Sequence, residues 1–536
     1  KYKTGETTRL AGQIALYLRH TMWGNESPYS LEQNTSFIDF TDVVLAAAME
    51  LKQELTDIFE SVKDLPLDRN NETHLLIEKS ISNIYDCGNI FRAIPEEVLC
   101  IAERHWCYFS QQEHDYNFGH SIEHYFGLSA SLHTEYSPES AFQTPLYLLL
   151  NTNPLPTMDM ILGVINYTSS CYESSSLAAR YSECSQIQIH LPDGTIQSQI
   201  CSIRLWNMYR GTSVAPNLLK SILMALEKWL LRYVESSDEE TSCQVCEYLL
   251  RHSWTAAITA VILSAVIAYP EKLFPISCIL LKTKEIFLLD IFRWTEEHSA
   301  NLFKGISPFG RRFDEERIES NNLPFRKKRF EEILLSYQLE KGALSEELWK
   351  QHQKRLYAAF DAATQDIASW DESYQFAYYR RDLRKCQAQY QSIAKDHVAF
   401  SIAPVMPDHL KKRSTQTQQN QKELMRHTPL MLWAEAKLRN DPSASAKYPQ
   451  FDEPQLVLHE IHQILEEEKK DFFWNISAAI TSCAALVQNN KAALGQEDFI
   501  FCKVVLLTAC FESVVEDTDA AAYNLDKVFP ALASLV

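Results

Sequence analysis

Glycine is scarce in this chain: it has 13 glycines among 536 residues and no glycine-rich phosphate-binding loop. Average glycine usage is about 7%, and glycine supplies the tight turns, phosphate cradles and nucleophile elbows of most α/β enzymes. The scarcity therefore favours a helical protein with a recognition surface over an enzyme with a reaction centre. We expect this chain to have no enzymatic activity of its own and no cofactor.

Charge and cysteine content point to a protein partner inside the cell. The formal net charge is −19, from 51 basic and 70 acidic residues. Nucleic acid is not expected as a partner, because affinity for it arises mostly from Lys and Arg that neutralise phosphates. The 13 cysteines are odd in number and lack a framework spacing, which favours reduced thiols and a cytoplasmic location.

The most apolar stretch runs from Trp254 to Tyr269 and stops at Pro270. It is shorter than the roughly 20 residues that span a bilayer. We therefore predict a helix that is buried on all sides, and no membrane partner.

Apolar residues recur at helical spacing along most of the chain, for example from Phe37 to Val62. One stretch instead alternates at period two: Ile187 to Leu191 and Thr195 to Ile200 flank the turn Pro192-Asp193-Gly194, which is typical of a β-hairpin. An isolated hairpin is marginal in water, so it should pack on the helices or protrude as a contact element. Because no fixed repeat length occurs, we predict an all-α fold, an irregular helical-repeat superhelix (solenoid-like) with a small inserted β-hairpin.

Breaks in the pattern divide the chain into six segments. The connector is expected to hold one short helix near residues 144–150, and the polar loop has no apolar period. Because the chain begins with Lys instead of Met, we expect it to be a fragment of a larger protein. The segments are an N-terminal helical segment (1–110), an irregular connector with the β-hairpin (111–216), a buried helical core (217–303), a second helical block (304–410), a mobile polar loop (411–422) and C-terminal helices (423–536).

The sharpest chemical motif is His120-Ser121-Ile122-Glu123-His124, which matches the HxxEH pattern of inverted zinc peptidases. In that pattern two histidines bind the metal and the glutamate acts as the base. Gly119 and Gly127 bracket the motif, which leaves little room for the helix that must hold both imidazoles. We therefore favour a structural or partner-facing cluster of His114, His120 and His124 with no bound metal. A zinc hydrolase that uses His120, Glu123 and His124 is kept as the alternative.

Two further patterns have a structural and a functional interpretation. Cys243 and Cys246 form a single CxxC without a second ligand pair, so buried core cysteines are favoured over a zinc or redox site.

The basic cluster Arg326 to Arg329 lies among acidic residues, which favours solvated faces or intramolecular ion pairs over DNA binding. A second cluster, Lys411 to Arg413, lies in the predicted loop and is available to an acidic partner.

The densest group of aromatic and arginine side chains lies between Tyr374 and Arg384. Tyr and Arg are enriched in interface hot spots. The candidate binding residues are Tyr378, Tyr379, Arg380 and Arg384. The alternative is a helix that packs these aromatic residues inward.

Three segments together resemble the helical C-terminal sensor region of bacterial antiviral STAND ATPases of the Avs group. They are Ser137–Pro145 (SPESAFQTP) ahead of Leu148–Leu150, Trp254–Ala257 through Pro270 with the later Phe287–Arg293, and Tyr379–Arg384 (YRRDLR). Such proteins combine an N-terminal effector, a central ATPase and a helical sensor that grips a phage protein and triggers oligomerisation. This chain has neither a Walker A sequence nor a recognisable nuclease core, so it corresponds to the sensor portion alone, and no catalytic residue carries over.

The resemblance implies a sensor module that recognises a viral (phage) protein by shape, activates an effector and self-associates on activation. ATP and Mg are expected only in an N-terminal part that this chain does not contain. A helical scaffold or adaptor of another cytosolic assembly has the same expected fold and is the main alternative. A Walker A sequence upstream would separate these two hypotheses.

Overall fold

The computed structural model describes residues 4–23, 27, 30–31, 33–63, 71–107, 121–129, 132–297, 300, 311–394, 397–441, 447–466, 473–489, 491–515 and 524–534. The chain divides into two compact units, Lys1–Val405 and Met406–Val536. Each unit has its own hydrophobic core.

The first half of the first unit is built from helices of very different lengths, from 4 to 20 residues. No regular repeat length relates them. In chain order they are α1 (Glu6–Trp23), α2 (Thr35–Ala46), α3 (Lys52–Val62), α4 (His74–Ile81), α5 (Ile90–Ala93), α6 (Pro95–Cys107), α7 (Ile122–Tyr125), α8 (Leu132–Glu135), α9 (Leu146–Thr152), α10 (Pro154–Glu173) and α11 (Ser176–Tyr181).

A β-hairpin follows, made of β1 (Ser185–His190) and β2 (Ile196–Cys201), which pair antiparallel. Gly194 adopts a φ of 88° in the connecting turn, a backbone conformation that costs glycine little. Ile187 and Ile189 are buried in the core of the unit, so one face of the hairpin packs on the helices. The predicted hairpin is confirmed.

The rest of the first unit is again mostly helical, with short 3-10 turns between some helices. Its elements are α12 (Ile203–Asn207), α13 (Asn217–Ser236), α14 (Glu239–His252), α15 (Ala256–Ala268), α16 (Phe274–Leu280), α17 (Glu285–Glu296), α18 (Arg311–Asn321), α19 (Phe330–Leu339), α20 (Glu346–Ala363), α21 (Glu372–Tyr379), β3 (Cys386–Ala394) and β4 (His397–Pro404).

Helix α15 lies at the centre of this core. Its sequence is apolar all round, and each residue from Ala256 to Ile267 is buried. Thr255 caps the helix by accepting a hydrogen bond from the Ala257 amide at 3.3 Å. The prediction of a helix buried on all sides is confirmed. It packs against α12, α13, α14 and α16.

The second unit is a smaller helical body. Trp433, Val457, Ile461 and Leu486 are fully buried in its core. Its helices are α22 (Asp408–Leu424), α23 (Thr428–Leu438), α24 (Pro454–Glu466), α25 (Phe473–Asn489), α26 (Gln496–Val515) and α27 (Leu525–Ala533).

The predicted fold class is confirmed: over the residues that it describes, the structure is 73% helical and all-α, with two small two-stranded sheets. Among the described residues, no helix combines the length and the apolar character that crossing a bilayer requires.

Three local predictions are wrong. The predicted mobile loop at 411–422 is part of helix α22, because Lys, Arg and Gln favour helix even without an apolar face. The second helical block contains the β3–β4 hairpin, whose period-two pattern is masked by the helix formers Ala and Gln. The irregular connector contains the 20-residue helix α10, which begins after Asn153 with Pro154 in its first turn.

Candidate protein interface

Tyr378 on helix α21 belongs to the core. Its side chain is 1% exposed, and its hydroxyl donates to the carbonyl oxygen of Leu281. Its ring meets that of Phe287 edge to face, with the centroids 4.9 Å apart. Burial raises the pKa of Tyr378 well above its usual value. The prediction that Tyr378 contacts a partner is therefore wrong, and for this residue the inward-packing alternative holds.

Tyr379, Arg380 and Arg384 form the accessible part of the same segment, and we call these three residues the α21 surface. Tyr379 is half-buried, and Arg380 is 50% exposed with a guanidinium nitrogen 3.7 Å from Glu331 Oε1. Arg384 Nη2 lies 2.7 Å from an oxygen of Asp361. These three predicted residues are thus at least partly accessible.

Arg384 is held in place by carboxylates on both sides. Its guanidinium donates to Asp361 and Asp382, with Nε 2.9 Å from Asp382 Oδ1. The hydrogen bonds that it donates to Asp382 and Asp361 raise the pKa of Arg384. Its plane also lies over the Tyr357 ring, 4.5 Å from the centroid. A partner that used Arg384 would therefore meet a preorganised cation and not a flexible one.

An open cleft of about 730 Å³ lies between strand β1 and the C-terminal end of α20. Lys282, Lys284 and Trp370 line it. The Lys284 ammonium is 5.3 Å from the Trp370 ring centroid and 5.4 Å from that of Tyr374 on α21. The cleft therefore adjoins helix α21. Sequence reasoning missed it because its walls come from segments far apart in the chain.

The structure describes the HxxEH motif only from Ser121 onward. Helix α7 has four residues, Ile122–Tyr125, and His120 lies outside the described residues, as does His114. Glu123 is buried, with its Oε1 3.0 Å from Nδ1 of His133. In the part of the chain that the structure describes, no three His, Cys, Asp or Glu side chains are grouped so that they could hold a metal ion.

The CxxC cysteines are core residues, as predicted. Cys243 and Cys246 lie on α14 and are both buried. The Cys243 thiol faces the Lys272 carbonyl oxygen, with Sγ and O 3.6 Å apart. Burial raises the pKa of Cys243 to about 12. Both residues behave as small apolar side chains.

The basic cluster at 326–329 contains a buried ion pair, which confirms the intramolecular interpretation. Arg326 is 2% exposed, and its guanidinium binds the Glu227 carboxylate at two points. The Ser264 hydroxyl also donates to Glu227. In the second cluster, Lys411 lies 3.6 Å from Asp408 on helix α22.

No model of a known protein family matches this chain.

Proposed function

We propose that this chain is the sensor module of a bacterial antiviral STAND ATPase. It recognises a viral (phage) protein by shape and hydrogen bonding, and activates the effector of a larger parent protein, which self-associates on activation. The chain itself is a binding module and not an enzyme, and it acts in the cytoplasm. ATP and Mg belong to the ATPase of the parent protein.

The observation that carries the proposal is the position of Tyr379–Arg384, one of the three segments that resemble the Avs sensor region. Tyr379, Arg380 and Arg384 from this segment form the α21 surface. Tyr and Arg are the residue types that contribute most at protein interfaces. The resemblance and the accessible tyrosine and arginine side chains thus point to the same surface.

A sensor that recognises shape needs a rigid scaffold, and buried polar pairs support one here. The Arg210 guanidinium binds Glu297, with Nε 3.1 Å from Oε2, and reaches Asn321 Oδ1 at 2.9 Å. These residues come from three separate segments of the first unit. Buried polar networks with most of their hydrogen bonds made favour one packing arrangement over others. This supports recognition by a preformed surface.

The test is a capture experiment with the purified chain. Phage structural and packaging proteins are expressed individually and screened for co-purification. The proposal predicts stoichiometric capture of at least one of them. Failure of every phage protein to bind, together with stoichiometric capture of a host protein, would instead support the scaffold hypothesis.

A further inference from the structure

Helix α26 has apolar residues on two opposite faces. One face contributes Cys502, Leu506 and Ala509 to the core of the second unit, and all three are buried. On the other face, four apolar side chains are each between 47% and 62% exposed. A helix that keeps a second apolar face in water is suited to bind a partner there. We call the four exposed residues the α26 stripe: Ile500, Val504, Leu507 and Phe511.

The spacing of the α26 stripe favours a helix as the occupant. Its residues follow one another at intervals of four, three and four positions, which is the spacing of the a and d positions of a coiled coil. The stripe is bounded by Lys503 on one side and Thr508 on the other, and both are exposed. A narrow a/d seam of this kind is covered by one facing helix, whereas a helix that faces a core needs a wider apolar arc.

The charges of α26 favour pairing with itself in the antiparallel direction. Glu497 and Asp498 lie in its first turn, so parallel pairing would set the acidic residues of two copies side by side. Antiparallel pairing places them at opposite ends of the seam and also opposes the two helix dipoles. In a chain with a net charge of −19, copies repel one another over most of their surface. The α26 stripe contains no charged residue, so two copies can approach there.

A two-fold axis between Val504 and Leu507 makes the stripe complementary to itself. In this register Val504 of one copy meets Leu507 of the other, and Ile500 meets Phe511, so each residue of the stripe has an apolar partner. Lys503 then lies near Thr508 of the other copy and meets no like charge.

The other helix with exposed apolar residues at this spacing that we considered is α1, with Leu10, Ile14 and Tyr17. Its next position in the series is the exposed Thr21, so α1 of a second copy would match only three of the four stripe residues with apolar partners. The α26 stripe of a second copy is therefore the better occupant.

We propose that two copies of this chain associate by antiparallel packing of their α26 helices through the α26 stripe. About half of four large apolar side chains amounts to roughly 300–400 Å² per copy, which is less than the roughly 800 Å² per partner of a stable interface. The dimer is therefore weak, with a dissociation constant on the order of 10–100 µM. This inference goes beyond the proposed function, which names no contact between copies, and it does not depend on a viral partner.

Sedimentation equilibrium of the full chain at about 1–300 µM brackets the expected dissociation constant. The weight-average mass should rise with concentration from that of one chain toward that of two. A chain that stays monomeric over this range would overturn the proposal.

Two double variants at the same positions test the register. In the acid–acid variant (Val504→Asp, Leu507→Asp), four carboxylates meet at the centre of the seam, and association should weaken by about tenfold or more. In the acid–base variant (Val504→Asp, Leu507→Lys), the antiparallel register brings each carboxylate to an ammonium group of the other copy. Association of this variant should be about fivefold or more stronger than that of the acid–acid variant. Equal association of the two variants, or wild-type association of the acid–acid variant, would contradict the proposal.

The matched control changes two exposed apolar residues on α1. Ile14→Asp, Tyr17→Asp should leave association unchanged, and a loss of association in this variant would assign α1 as the occupant and overturn the proposal. Thermal melting compares each variant with the wild type. If the charged α26 variants melt early, Val504→Thr, which keeps the shape of the side chain, should weaken association by about threefold or more, and unchanged association would contradict the proposal.

The outcome is separate from that of the capture experiment. Capture of a phage protein by a chain that does not dimerise would overturn only this inference. Dimerisation through α26 without capture of any phage protein would overturn only the proposed function.

Discussion

Arg326 and Glu227 form a two-point ion pair inside the core of the first unit. The distances are 2.5 Å from Nη1 to Oε1 and 2.7 Å from Nη2 to Oε2, and the two residues are 99 positions apart in sequence. The pair links helix α13 to the segment before α19, so it joins two parts of the fold that are far apart in the sequence.

Removal of Arg326 should destabilise the protein strongly. Arg326→Ala leaves Glu227 buried without its cation, which costs about 3–5 kcal/mol in comparable pairs. Urea unfolding monitored by circular dichroism measures the change. The matched control is Arg329→Ala in the same basic cluster, whose partly exposed ion pairs should be worth about 1 kcal/mol or less. Similar losses of unfolding free energy in the two variants would show that the buried ion pair stabilises the protein no more than the exposed ones.

The effect of this substitution should depend on pH. Burial alone raises the pKa of Glu227, but the charge and hydrogen bonds of Arg326 outweigh it and hold that pKa below the usual 4.5. In the wild type this contribution to stability is complete above pH 4.5 and is lost as the pH falls below it. In Arg326→Ala, Arg326 no longer opposes the effect of burial, so the pKa of Glu227 in the folded state rises. The resulting loss of stability grows as the pH rises above the pKa that Glu227 has in the unfolded chain.

Unfolding free energies of the wild type and Arg326→Ala, measured at pH 7 and pH 5, test this difference in pH dependence. The difference in unfolding free energy between the two proteins should be smaller at pH 5, because the loss caused by the unpaired Glu227 carboxylate grows with rising pH. Other titrating groups are common to both proteins and cancel in the difference. A difference that stays constant or grows at pH 5 would contradict the assignment.

Tyr378 and Arg380 should differ in their effect on stability although they are two residues apart. Tyr378→Ala removes a buried aromatic ring, which costs about 3–5 kcal/mol. Arg380→Ala alters a half-exposed side chain and should cost less than about 1 kcal/mol. Chemical denaturation measures both. A Tyr378→Ala variant with the unfolding free energy of the wild type would show that the Tyr378 ring does not belong to the core.

The HxxEH segment is expected to bind no stoichiometric zinc. Among the described residues of this segment, Glu123 is turned toward His133 and helix α7 has only four residues, which is shorter than the helix on which a zinc peptidase holds its two histidines. Elemental analysis of protein prepared without chelator or nickel resin measures the metal content. One zinc per chain that disappears in a His120→Ala, His124→Ala double variant would favour the hydrolase.

Local sequence patterns predicted the elements whose environment is uniform. Helix α15 is apolar on all sides and is buried on all sides, and the β1–β2 hairpin has a turn that requires glycine at a positive φ. Strands β3 and β4 escaped prediction because Gln and Ala have good helix propensity, so their period-two alternation competes with a helical interpretation.

The candidate site was predictable only in part, because burial and pairing depend on distant segments. Tyr378 and Tyr379 are indistinguishable by residue type alone, and only the contacts of Tyr378 with Phe287 and Leu281 place it in the core. The cleft combines Lys284 with β1 and Trp370, a juxtaposition that no local pattern encodes. Arg326 has several acidic neighbours in sequence, yet it pairs with Glu227 from helix α13.

The central claim, that the α21 surface binds a viral protein, is tested most directly by titrating a captured phage protein against a Tyr379→Ala, Arg380→Ala double variant by isothermal calorimetry. Truncation of a hot spot costs about 2 kcal/mol or more, roughly thirtyfold in affinity. We predict a loss of at least that size with an unchanged melting curve, and wild-type affinity for Lys350→Ala. Wild-type affinity in the double variant would contradict the account.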